Sequence, residues 1–136
     1  MVSTPALART HVDAVVTLLR TGGVKTYLSE APAEPHTQAP FVVLWPDPGA
    51  VAAGSLGDWL SDLVVTVQTT SVGGTAEQAL WLADKVARLL WAATPTIPGR
   101  TTLPVRGVDT QPVQRDDSLA VPLFYAVAVW RLHTTP

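Results

Sequence analysis

Cysteine is missing from all 136 residues, which excludes disulfides, thiolate metal sites and a cysteine nucleophile, so packing has to hold the fold. Charge is scarce too, at 15% of residues, and neither sign dominates. Nine Lys plus Arg against eleven Asp plus Glu leave a net −2, far from the basic excess that attracts a polyanion nonspecifically. Long apolar runs are also lacking. The longest, Val121 to Trp130, is ended by Arg131 and falls well short of the roughly twenty residues of a membrane helix. No basic start followed by an apolar block opens the chain, so no secretory signal is expected. Synthesis in the cytoplasm without a membrane anchor is the corresponding expectation.

Apolar residues are plentiful. They make up 47% of the chain, with five Trp, more apolar surface than a small monomer comfortably hides. Self-association accounts for this composition, and so does a large core under a sparsely charged surface. The length predicts one domain over residues 1–136.

Thr4 followed by Pro5 has the form of an N-cap with proline at the first helical position. The helix after it runs to about Arg20, with Ala8, Val12, Val15, Val16 and Leu19 on one stripe, and Gly22 and Gly23 end it. Val24 to Leu28 suits a short strand, and the three prolines between Glu30 and Pro40 predict a loop. Phe41 to Trp45 is continuously apolar, as in a strand covered on both faces and placed centrally in a sheet. Asp47 to Gly57 predicts an exposed connection. From Leu63 the pattern alternates, with Val65 and Val67 on one side and Thr66, Gln68 and Thr70 on a wetter one.

Gly73 and Gly74 make a turn, and Thr75 with Gln78 forms a capping-box pattern. The second helix then runs to about Ala93 on a stripe of Ala79, Leu82, Ala83, Val86, Leu90 and Ala93, and is stopped by Pro95 and Pro98. Leu103 to Asp109 is a weak strand candidate, and Thr110 to Ala120 reads as a polar loop. Leu123 to His133 reads as a last strand, apolar on both faces and covered on both over much of its length. The expected fold class is α+β: a mixed or antiparallel sheet with two main α-helices packed on it.

Catalytic patterns are thin. Gly73-Gly74-Thr75 opens a helix, but no lysine follows as a P-loop requires, and a plain strand-to-helix turn explains it. Asp116 and Asp117 beside Arg115 have the chemistry for a hard cation or an acid–base pair. Adjacent strand residues point apart, however, and no third oxygen ligand lies at a supporting spacing, which favours a solvated loop or an intersubunit ion pair. His11, His36 and His133 are scattered, and Ser55 lacks the spacing of a hydrolase elbow. No cofactor or metal is expected, and no catalytic residue is assigned.

Trp81 fits a core poorly. On a helical wheel it falls with Asp84, Lys85 and Arg88, opposite the apolar stripe. An indole on a polar face suggests a partner surface, while cover by the connection from Asp47 to Gly57 is the intramolecular alternative. Trp81, Asp84, Lys85, Arg88, Arg115, Asp116 and Asp117 are the candidate interface residues.

The N-terminal helix, Pro40-Phe41-Val42-Val43-Leu44, Val67-Gln68-Thr69-Thr70-Ser71 leading through Gly73 to Gln78-Ala79 and Ala83-Asp84-Lys85-Val86, and the closing Phe124-Tyr125 to Trp130-Arg131-Leu132 occur in an order and spacing that resemble the tail terminator (tail completion) proteins of bacteriophages with long non-contractile tails. The resemblance implies a ring, usually of six subunits, that docks on the last ring of the tail tube, stops its polymerisation and presents a surface to the head connector or head-closure protein. It implies a place in the virion and no catalysis. DNA would pass through the ring without sequence-specific binding, which the net negative charge suits. The two polar segments, Asp47 to Gly57 and Thr110 to Ala120, are then candidates to order on contact with tube or neighbour. Another neck component is the nearest rival. A small ligand-binding module or hydrolase is the rival from another class, and it would need a pocket of convergent polar groups.

Overall fold

In the computed structural model, residues 8–47, 50–51, 62–118 and 120–135 are described. The Thr4–Pro5 cap and most of the connection after Asp47 lie outside them. Helix α1 (Ala8–Thr21) is amphipathic as its stripe requires, and buries His11 along with Val12, Val15, Val16 and Leu19. Strand β1 (Thr26–Leu28) runs parallel to β2 (Phe41–Pro46). Parallel neighbours need a crossover of about a dozen residues. The segment between Leu28 and Phe41 provides it, and holds the short helix α2 (Pro35–Gln38) where prolines alone predicted loop. Proline at the start of α2 costs nothing, because that N–H has no helical partner anyway.

Strand β3 (Ala50–Val51) is two residues of the expected exposed connection, recruited by pairing with β4 (Leu63–Gly73). Helix α3 (Ala76–Leu90) follows at once. Thr75 Oγ1 accepts from the Gln78 N–H at 3.1 Å, and the Gln78 side chain accepts from the Gly74 N–H at 2.7 Å. This satisfies two donors at the helix start. The helix stops at Leu90, three residues before Ala93, and the Trp91 N–H closes its last turn onto the Ala87 carbonyl.

Strands β5 (Thr101–Thr102), β6 (Arg106–Thr110) and β7 (Gln114–Asp116) all pair antiparallel with β8 (Leu123–Thr135), forming one interrupted edge along it. Arg115 and Asp116 therefore sit in a strand, not in the expected loop. Their polar sequence has no strand propensity, and the free edge of β8 supplies the pairing.

The sheet runs β1-β2-β4-β8 and then the β5–β7 edge. It is mixed, and the fold is α+β as expected. The strand β2 is one place in from the edge, and β4 is central, which corrects the expectation from its apolar run. Strand β2 is nevertheless covered on both faces. Val42 and Leu44 join the main core beneath α1 and α3 with Val65, Val67, Leu82 and Leu90, while Phe41 and Val43 join a smaller cluster with Val72 and Leu123 on the other face. Tyr27 stands edge-on to Phe41 in that cluster, with centroids 5.6 Å apart. The strand β8 is only partly covered: Ala126, Trp130, Leu132 and Thr134 are buried under the helices, but Tyr125, Val127 and Val129 are half-buried and Arg131 is exposed. On their face, Pro35 of the short helix α2 borders a cleft together with Tyr125.

Buried polar groups are paired, as desolvation demands. Trp130 Nε1 donates to Thr69 Oγ1 at 3.1 Å. His11 Nε2 lies 2.7 Å from Thr134 Oγ1, which also accepts from Arg100 Nε at 2.8 Å.

Candidate interface surfaces

Two of the sequence-derived candidate groups lie on different surfaces. Along α3, Ala79, Leu82, Val86 and Leu90 take the sheet side, so the 3.6-residue period turns Trp81 and Arg88 outward. Trp81 is 51% exposed, with the Lys85 ammonium 5.3 Å from its ring centroid. Such a contact at an exposed site contributes roughly 0.5–1 kcal/mol. Asp84 and Arg88, spaced for an i, i+4 pair, are exposed and form no ion pair among the described residues.

On β7, Arg115 Nε donates to Asp117 Oδ1 at 2.6 Å, and its guanidinium lies 5.9 Å from the ring of Phe124, its partner across the ladder. Asp116 takes a different partner. Its Oδ1 accepts from the Ser118 hydroxyl at 2.6 Å and the Ser118 N–H at 2.9 Å, which hold the carboxyl below the usual carboxylate range. The adjacent acids thus engage separate groups and do not form a carboxylate pair that shares a proton. Among the described residues no group of three His, Asp or Glu is arranged to hold a metal ion, and no helix is long and apolar enough to cross a membrane.

Asp84 of the first group and Asp116 of the second line separate clefts on opposite faces. The open cleft of about 280 Å³ between α3 and the β6–β7 link is walled by Leu80, Ala83 and Asp84 on the helix side and Pro112 on the other, with Ala126 and Ala128 as its floor. A second cleft of about 230 Å³ lies on the opposite face, beside Phe41, Trp45 and Tyr125. Neither is lined by a histidine. The three histidines are dispersed: His11 in the core, His36 exposed on α2, and His133 paired with Asp62 at 3.1 Å.

Sequence reasoning missed several exposed groups. Trp91 is 60% exposed beside Gly107, and Val108 and Leu28 project from opposite sheet edges. Arg106 stands directly across from Arg131. Arg131 was visible as the charge that breaks the apolar run of the last strand, but its facing arginine required the strand register.

No protein-family profile and no curated protein matches the sequence. In fold, the chain is similar to a chain of the virion of a native gene transfer agent particle, with a TM-score of 0.62 and 16% identity, over 96% of this chain and 92% of that one.

Proposed function

We propose that this protein is a structural component of a virion, and specifically a tail terminator: a ring, of six subunits by family resemblance, that caps the tail tube, ends its polymerisation and offers the surface on which the head joins. The observation that carries the reading is the likeness to a virion chain over nearly the whole of both chains. Near-complete mutual coverage means the likeness extends along both chains and is not confined to one shared piece. The exposed Trp81, Trp91, Leu80 and Trp45 support it, since a ring subunit that also meets a tube and a connector needs several adhesive faces.

In this reading the protein resides at the head-proximal end of the tail, having been made in the host cytoplasm. Its partners are copies of itself, the tail tube protein and a connector or head-closure protein, and DNA passes through the ring without sequence-specific contact. It carries no cofactor and catalyses nothing.

Electron microscopy of particles assembled without the protein tests the role. Overlong tails lacking heads are the expected result. Tails of normal length without heads would reject termination and assign the chain to the head side of the neck, and complete infectious particles would reject both.

A further inference from the structure

The two edges of the sheet are complementary. At the β1 edge, Leu28 is 44% exposed, and Glu30 and Glu34 stand exposed on the segment leading to α2, neither in an ion pair among the described residues. The basic side chains at this edge are held on backbone carbonyls: Lys25 donates to the Gln38 carbonyl at 2.9 Å and Arg20 to the Thr26 carbonyl at 2.8 Å. At the opposite edge, Val108 is 49% exposed in the bulge between Gly107 and Asp109, where the register leaves it without a partner on β8. Arg106 and Arg131 face each other across the ladder, both exposed and without an ion pair among the described residues. Asp109, on the same edge, accepts from the Thr110 N–H at 2.9 Å. Like charges opposed on a sheet are destabilising. A carboxylate brought from outside would relieve that repulsion.

Backbone pairing is obstructed at both edges. The strand β1 has three residues, and β6 carries a bulge between Pro104 and Pro112. A contact there has to be made by side chains. One edge offers two acids outside any ion pair among the described residues and a leucine, with Arg20 and Lys25 held on backbone carbonyls; the other offers Arg106 and Val108 on the edge strand and Arg131 one strand in, and both sets belong to the same chain. We infer that the β6 edge of one copy docks on the β1 edge of the next, Arg106 and Arg131 meeting Glu30 and Glu34 while Val108 meets Leu28. This head-to-tail contact is heterologous, so repetition closes a ring when the rotation between copies closes. It rests on the ring reading above and names the surface through which the ring forms.

Charge reversal tests it. One variant carries Glu30→Arg and Glu34→Arg, the other Arg106→Glu and Arg131→Glu, with folding checked by circular dichroism. Each alone is expected to self-associate at least about tenfold more weakly than the parent in sedimentation equilibrium. An equimolar mixture is expected to recover association with the two variants alternating, because each reversed edge then meets an opposite charge. Unchanged association of either variant, or a mixture no better than its parts, overturns the inference.

The absence of cysteine allows a second readout that leaves the charges in place. Leu28→Cys and Val108→Cys chains, mixed at about 1 mM so that a contact with a Kd near that value is substantially occupied, should form a mixed disulfide on mild oxidation. A Thr17→Cys chain mixed with Val108→Cys should not. No link, or equal linking in the control, overturns the proposed edge contact. Charge-reversed chains that still end tails at normal length and associate normally would leave the terminator role standing and remove only this interface.

Discussion

At the scale of single residues, chemistry that looked alike in sequence diverges by environment. Asp116 and Asp117 are neighbours, yet only Asp116 is held below the ordinary carboxylate range, first by the Ser118 hydroxyl and then by the Ser118 N–H. A carboxyl lowered in the folded state contributes stability that is fully present above its unfolded pKa and is lost as pH falls through the lowered value. Ser118→Ala should therefore move the Asp116 titration upward, as followed by carboxyl-carbon NMR, and remove part of that acid-side pH dependence. The buried Thr134 joins β8 to α1 and Arg100 through one hydroxyl. Thr134→Val keeps the shape but strips His11 and Arg100 of that oxygen. It should cost about 1–3 kcal/mol in urea unfolding. His11 gave no such signal in sequence: its partner lies 123 residues away and only the fold brings them together.

At the scale of elements, the helices and the long strands were legible because local patterns and tertiary placement agree. The α1 and α3 stripes, the Thr75–Gln78 cap and the alternation of β4 each match the face that is buried. Glycine at the β4–α3 turn has a steric basis: a Cβ at Gly73 would lie 2.5 Å from the Ala79 nitrogen, within helix backbone that cannot move aside. At Gly22, a Cβ would meet the Leu89 side-chain end at the same distance, and that end can rotate. Gly73→Ala should consequently destabilise more than Gly22→Ala, with the first above roughly 2 kcal/mol, and thermal denaturation of the two variants measures the difference. The failures at this scale share a cause. The strands β3 and β7 are short, small or polar segments that acquire strand geometry from a neighbour, and α2 sits among prolines that usually mark loops.

At the scale of the whole molecule, the proposed role turns on surfaces that meet partners. Trp81 lies outside both hydrophobic clusters, so Trp81→Ala should leave the unfolding midpoint within about 0.5 kcal/mol of the parent, as for surface positions generally. In the proposed role the same substitution weakens ring or tube assembly, which light scattering with purified tube protein would register. A large loss of stability without an assembly defect would return Trp81 to a packing role. The composition is consistent with either self-association or a large core, and the structure contains elements of both: a core of Val, Leu and Trp130 beneath the helices, and, among the described residues, six large apolar side chains at least 44% exposed, Leu28, Leu80, Trp81, Trp91, Val108 and Val121.

The amino-acid sequence by itself determined the α+β class, the two long helices with their buried faces, and the two longest strands. Each of these is written in short-range periodicity, capping and turn residues, which a chain carries before it folds. Only the tertiary structure decided the order of strands, the three-part edge along β8, the His11–Thr134–Arg100 junction and the facing of Arg106 with Arg131. These depend on register between segments far apart in the chain, and register is chosen by which faces bury together, a property of the assembled sheet that no single segment contains.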